Sequence, residues 1–152
     1  MIYYYSRFGK TKIFAEALGE VLGQNVRELE SDLNKKSFFG FMIKALSLAF
    51  SGKSYPVLNM PDEIPGEVFL CAPVWGGKLA APPKFFLENA KLSDTTVNML
   101  LTASIPHENY KNDALKYLEL IPCKAGRVLI FATQEKAMPE KDAVLEQMRE
   151  ML

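Results

Sequence analysis

Cysteine, histidine and tryptophan are scarce in this chain: two, one and one among 152 residues. Cys71 lies inside an apolar run and Cys123 in a connection, with neither a CxxC pair nor any metal-ligand spacing, so a disulfide framework and a cysteine-based metal site are both disfavoured. They read as buried or partly buried free thiols. Charge of either sign is not in surplus, since 18 lysines and arginines balance 18 aspartates and glutamates. The basic footprint that nucleic acid requires is missing, and so is the acidic surface that a strongly basic partner requires. No apolar run reaches bilayer-spanning length, and no basic segment with a small-residue cleavage site precedes the first apolar run. Repeats and low-complexity tracts are absent too. These absences lead us to expect one cytoplasmic domain over residues 1–152, large enough to bury a core.

What is present begins with Tyr5-Ser6-Arg7-Phe8-Gly9-Lys10-Thr11. Ile2 to Tyr5 ahead of it are β-branched or aromatic, the composition of a buried strand, and from Lys12 onward apolar residues recur at helical spacing. The stretch therefore ends a strand and opens a helix. The first backbone N–H groups of such a helix lack intrahelical partners, and the helix dipole adds partial positive charge, so an anion is favoured there. Gly9 permits close backbone approach, and the hydroxyls of Ser6 and Thr11 can donate to a phosphate without adding charge.

Along the chain, Ile13, Phe14, Ala17, Leu18, Val21 and Leu22 share a helical face that Gly23 closes. Asn25 to Leu29 forms a short second strand. The segment 31–61 is the least regular: Phe38, Phe41, Met42, Ala45, Leu46 and Ala49 make one helical stripe, widened by Phe39, Leu48 and Phe50, and this apolar breadth favours a well-buried helix ended by Gly52 over one that meets a partner or a membrane surface. Val68 to Ala72 is apolar throughout, as suits a central strand covered on both faces. A short proline-led helix at Phe85 to Leu87, a strand at Thr96 to Leu101, a helix at Glu108 to Leu120, a strand at Arg127 to Ala132 and a helix at Lys141 to Leu152 complete the alternation. Repeated βαβ units predict an α/β three-layer sandwich with a five-stranded parallel sheet. In such a sheet the ligand lies beyond the carboxyl ends of the strands, where the winding reverses. The loops after strands one, three and four are thus singled out: Ser6 to Thr11, Pro73-Val74-Trp75-Gly76-Gly77, and Thr102-Ala103-Ser104.

A phosphate cradle on one loop and an exposed tryptophan before two glycines on another suit a ligand with a phosphate at one end and a flat aromatic system at the other. Flavin mononucleotide (FMN) has that form. Trp75 offers a stacking face, while Gly76 and Gly77 let main chain approach the ring edge. On these residues the chain resembles the flavodoxin family over essentially its whole length. Ser6, Gly9 and Thr11 resemble the family's phosphate loop, and Pro73 to Gly77 followed by Pro82-Pro83 resembles its strand-three loop. The resemblance implies a flavodoxin-like fold of strand order 2-1-3-4-5 and non-covalent FMN. It also implies either electron transfer to a redox partner protein or the work of a small oxidoreductase with a small electron acceptor. Two departures stand out: Phe8 replaces a hydroxyl residue, for which Arg7 or Lys10 could compensate by charge, and Thr102 to Asn109 lacks a glycine-rich run.

A nucleotide P-loop needs a glycine five positions before Gly9, where Tyr4 stands, and a phosphoacceptor receiver needs clustered aspartates where Ser6 and Arg7 stand. His107 reads as a surface residue near a helix start, and Tyr110 as either a ring-stacking or a packing residue. A flavodoxin-fold interaction module that has lost its cofactor is the alternative function, motivated by Phe8, the altered strand-four loop and the apolar second helix.

Overall fold

The computed structural model describes residues 1–133 and 137–152. Along these the elements run β1 (Ile2–Tyr4), α1 (Lys10–Leu22), β2 (Val26–Glu28), a 3-10 turn (Asp32–Lys35), α2 (Phe38–Ser51), β3 (Glu67–Trp75), β4 (Lys78–Leu79), α3 (Ala81–Asn89), β5 (Thr96–Ala103), α4 (Glu108–Glu119), β6 (Lys124–Ala132) and α5 (Lys141–Met151). The parallel sheet has the order β2-β1-β3-β5-β6, which is the expected order once the small β4 is set aside. β4 is the one addition to the expected five strands. It pairs antiparallel with the end of β3, Val74 opposite Leu79 and Trp75 opposite Lys78. The two residues between them, Gly76 and Gly77, both have positive φ (53° and 77°). A two-residue hairpin of type I′, whose twist matches its strands, has that conformation at both central positions, and glycine reaches it without steric cost.

The central strands are apolar on both faces because both are covered. On one side Ile2, Tyr4, Phe69, Cys71 and Leu100 pack against Phe14 and Leu18 of α1 and Val144 and Met148 of α5. On the other, Tyr3, Tyr5, Leu70, Val97, Met99 and Leu101 pack against Phe86 and Leu87 of α3 and Leu118 of α4. Alternate residues of one strand thus enter two different cores, the result of the two-residue side-chain period. Met151 is exposed at the last turn of α5.

The expectation of a well-buried second helix is corrected. In α2 only Phe41, Ala45 and Leu48 are buried, in a small separate cluster with Leu33 and Ala81. Phe38, Phe39, Met42, Ile43, Leu46 and Phe50 are exposed. The helix is capped at both ends, by the Ser37 hydroxyl accepting from the Gly40 amide and by Gly52 in the left-handed region. Local signals therefore specify the helix, but tertiary contacts cover only one side of it.

The chain winds from β1 outward to β2 and then back past β1 to β3, so the winding reverses between β1 and β3. The crevice beyond their carboxyl ends is where a ligand site is expected in an open α/β sheet.

Candidate functional site

A cavity of about 620 Å³ opens at that reversal. It is lined by Ser6, Arg7, Phe8, Lys10 and Thr11 from the first loop, by Pro73, Val74, Trp75 and Gly76 from the end of β3, and by Thr102, Ala103 and Ser104 after β5. Three loops that are far apart in sequence therefore meet at one site. Gly9 and Gly77, the two other residues singled out, are not among the lining. Gly9 stands at the start of α1, and Gly77 lines a neighbouring cavity of about 290 Å³ with Lys78 and Tyr110.

The first loop is shaped by the helix that follows it. α1 starts at Lys10, two residues earlier than its apolar periodicity indicates, so the amides from Gly9 to Lys12 belong to its first turn. Gly9 is its N-cap with φ 79°, and no side chain caps it. The backbone donors of a helix start therefore lie beside the loop that lines the cavity. A Cβ at Gly9 would sit 3.1 Å from Met138 Cε, which together with the positive φ accounts for glycine there.

Thr11 and Thr102, both buried, share a hydroxyl–hydroxyl hydrogen bond of 2.8 Å across 91 residues of sequence. Two hydroxyls carry two protons and the shared bond consumes one, so one O–H of the pair can still donate into the cavity. Arg7 is held differently from the expected charge compensation. One terminal nitrogen of its guanidinium donates to the Lys36 carbonyl at 2.9 Å, and the group lies 5.2 Å from the Phe41 ring centroid and 5.7 Å from that of Phe8. Its Nε is a buried donor with no acceptor among the described residues. Asn34 braces the same loop, accepting from the Tyr5 hydroxyl at 2.6 Å and donating to the Ser6 carbonyl at 3.3 Å. Burial pushes the Tyr5 hydroxyl well above its ordinary range, so it stays a donor.

Trp75 is half-buried rather than openly exposed. Tyr5 and Phe41 meet it nearly at right angles, with centroids 5.6 and 5.2 Å away, and Phe8 continues the series by meeting Phe41 at 5.6 Å. Such edge-to-face packing fixes the plane of the indole and contributes about 0.5–1.5 kcal/mol per pair beyond area burial. Phe8, which costs the loop a hydroxyl, thus builds an aromatic wall.

Several lining residues have no counterpart in the sequence reading. Phe41, Met42, Ala45, Leu46 and Ala49 present one side of α2 to the cavity, and Thr133, Ala137 and Met138 close it from beyond β6. The α2 contribution carried a usable signal, since an apolar helix broader than one stripe must meet something besides the core. His107 is where the sequence placed it, exposed at the start of α4, with Nδ1 accepting from the Asn109 amide at 3.2 Å. Tyr110 leans toward His107 and Gly77 and does not line the larger cavity.

The ionisable side chains among the described lining residues are Arg7 and Lys10, with no carboxylate, histidine or thiol beside them. Such a lining attracts an anion, while its apolar and aromatic majority suits a flat apolar body. It offers no side chain that could serve as a general acid or base near neutral pH. Among the described residues no group of side chains could hold a metal ion.

No family model matches the sequence, and no curated protein matches it significantly. Solved structures do. A Bacteroides uniformis chain assigned as a flavoprotein is 14% identical over 98% of this chain and 96% of that chain, with a TM-score of 0.69. A Lactobacillus acidophilus flavoprotein crystallised in complex with FMN is 22% identical over 85% of this chain and 90% of its own, at 0.63. A Megasphaera elsdenii flavodoxin is 13% identical over 99% of both chains, at 0.50. At these identities the likeness is one of fold, and the fold is flavodoxin-like.

Proposed function

We propose that this chain is a single-domain flavoprotein that binds FMN non-covalently in the cavity at the β1/β3 reversal and works as a small oxidoreductase. The observation that carries the reading is the convergence of the three loops on one cavity, with donors at the first loop and aromatic rings at the second. That one of the structural neighbours is an FMN complex adds to it.

In this reading the phosphate rests at the start of α1. The amides there hold it, helped by the free proton of the Thr11/Thr102 pair and by the Ser6 hydroxyl. Arg7 Nε is a further donor in need of an acceptor. Backbone amides take the larger part because Phe8 supplies no hydroxyl. Trp75 and the α2 side chains Met42 and Leu46 enclose the ring system and exclude water from it. Main chain at Gly76 and at Ala103 and Ser104 borders its polar edge. When bound, FMN supplies one- or two-electron transfer chemistry, which the protein tunes through its hydrogen bonds and dielectric.

Balanced charge favours an enzyme over a dedicated carrier, because an electron carrier that finds its partner by electrostatic steering needs a surplus of one sign. Addition of FMN to the purified protein should quench flavin fluorescence at micromolar protein. The absence of quenching and of any visible absorbance would defeat the reading. Rapid-mixing reduction by NADPH then separates enzyme from carrier, since a carrier reacts slowly without a partner reductase. The other reading, an interaction module without cofactor, draws on the uncovered side of α2. It requires Trp75→Ala to leave flavin uptake unchanged because there is none.

A further inference from the structure

Most of one side of α2 serves neither the core nor the cavity. Phe39, Ile43, Leu46 and Phe50 recur at spacings of four, three and four and fall within about 60° of arc, forming one stripe about 16 Å long. They are 78, 71, 54 and 85% exposed. Of the four, only Leu46 also lines the cavity. Four large apolar side chains in one contiguous line mark a contact surface, whereas scattered single ones do not.

The charge around the stripe has one sign. Lys35, Lys36, Lys44 and Lys53 lie in or beside α2, and the sequence carries no acidic residue between Asp32 and Asp62. Asp32 is taken by Lys35 at 2.8 Å. Among the described residues Lys36, Lys44 and Lys53 form no salt bridge. Three exposed cations therefore lie in or beside α2 outside salt-bridge distance of any described carboxylate, Lys44 with its Nζ 5.9 Å from the Tyr55 ring centroid.

We infer that this stripe is a peripheral membrane contact, seated in the headgroup and upper acyl region of an anionic lipid surface with α2 lying in its plane. A second copy of the chain is the poorer occupant. A two-fold contact sets the same face against itself, and would oppose Lys36, Lys44 and Lys53 to like charges. A protein partner would need a groove shaped to a convex helix and rimmed with acid. A lipid surface needs no preformed shape: apolar residues enter it by a few ångströms while lysine stems reach back to anionic heads. No described helix is long and apolar enough to cross a membrane. The cavity wall formed by Met42 and Leu46 adjoins the stripe on the same helix, so an apolar compound dissolved in that surface would have a short path to the cavity.

The test is co-sedimentation of the full chain with phosphatidylcholine vesicles, with and without about 30% phosphatidylglycerol. Binding should be at least about tenfold stronger to the anionic vesicles and should weaken as salt is raised. The triple variant F39S/I43S/F50S should lose at least about tenfold of that binding while keeping its far-ultraviolet circular dichroism and its FMN uptake. Equal sedimentation of parent and variant, or none with anionic vesicles at millimolar lipid, overturns the assignment. So does light scattering that shows a parent dimer and a variant monomer. Retention of the parent, but not the variant, on immobilised polyglutamate without vesicle binding would assign the surface to an acidic protein instead. The inference does not rest on FMN, so failure of flavin uptake with vesicle binding intact would remove the cofactor reading alone.

Discussion

Helices α1 and α2 have similar length and both supply side chains to the cavity, yet the structure treats them in opposite ways. α1 lies on the sheet beside α5, and Phe14, Ala15, Ala17 and Leu18 vanish from solvent. α2, with the more apolar sequence, buries three residues and shows six large ones. The difference lies in the number of neighbours. α1 crosses the face of a sheet that another helix also covers, whereas α2 sits beside the β3–β4 hairpin and the start of α3 over a five-residue cluster. Apolar composition is thus a record of contact somewhere, inside the chain for α1 and outside it for α2.

The sharpest way to break this comparison is through the core. Phe14→Ala removes a ring that packs at 5.3 Å from Phe131 and should cost about 3–5 kcal/mol in urea unfolding. A loss under about 1 kcal/mol would mean that α1 is no better anchored than α2. Gly9→Ala probes the junction between loop and helix, combining a positive φ with crowding against Met138, and should cost about 1–2 kcal/mol along with weaker FMN binding. Thr11→Val breaks the bond to Thr102 and removes a donor; about 1 kcal/mol of stability and about tenfold in FMN affinity should go, with riboflavin affinity nearly unchanged.

A pH series separates the covered side from the open one. Burial raises the Cys71 thiol from its ordinary 9.0 and the Tyr5 hydroxyl from 10.0, while α2 contains no such group. Both groups are neutral in the folded chain and ionise more easily once unfolded. Their contribution is complete well below these ordinary values, begins to fall as the pH nears 9 and goes on falling toward the raised values of the folded chain. The urea midpoint should therefore hold from pH 7 to about 8.5 and then fall. Smallest of all, Phe50→Ser on the open stripe should change stability by no more than about 0.5 kcal/mol. A larger loss would show that the stripe is covered within the chain.

Much of the fold was legible because each level of the sequence agreed with the next. Alternating periods, Gly23 and Gly52 as helix stops, and the paired prolines at the head of α3 place the elements within a few residues. The β4 hairpin escaped because two residues make no period, although Gly76-Gly77 between Val74 and Leu79 is a recognisable turn signal. The Thr11–Thr102 bond and the closure by Met138 join residues that only the sheet order brings together. The breadth of the apolar stripe in α2 signalled contact beyond one face, but periodicity tells which residues share a face and not whether its partners lie inside the chain, so burial was preferred where six large residues are exposed. The three converging loops were readable through the fold rule that places ligands at a winding reversal. The turning of Arg7 toward Lys36 and Phe41 was not.

The claim at the centre is that the start of α1 holds a phosphate while the Trp75 loop holds the ring of the same ligand. Amide chemical shifts recorded with FMN and with riboflavin test it most directly. Both ligands should move the amides of Trp75, Gly76 and Ser104, and FMN alone should move those of Phe8 to Lys12. Equal shifts at Phe8 to Lys12 with both ligands, or none with either, would contradict it.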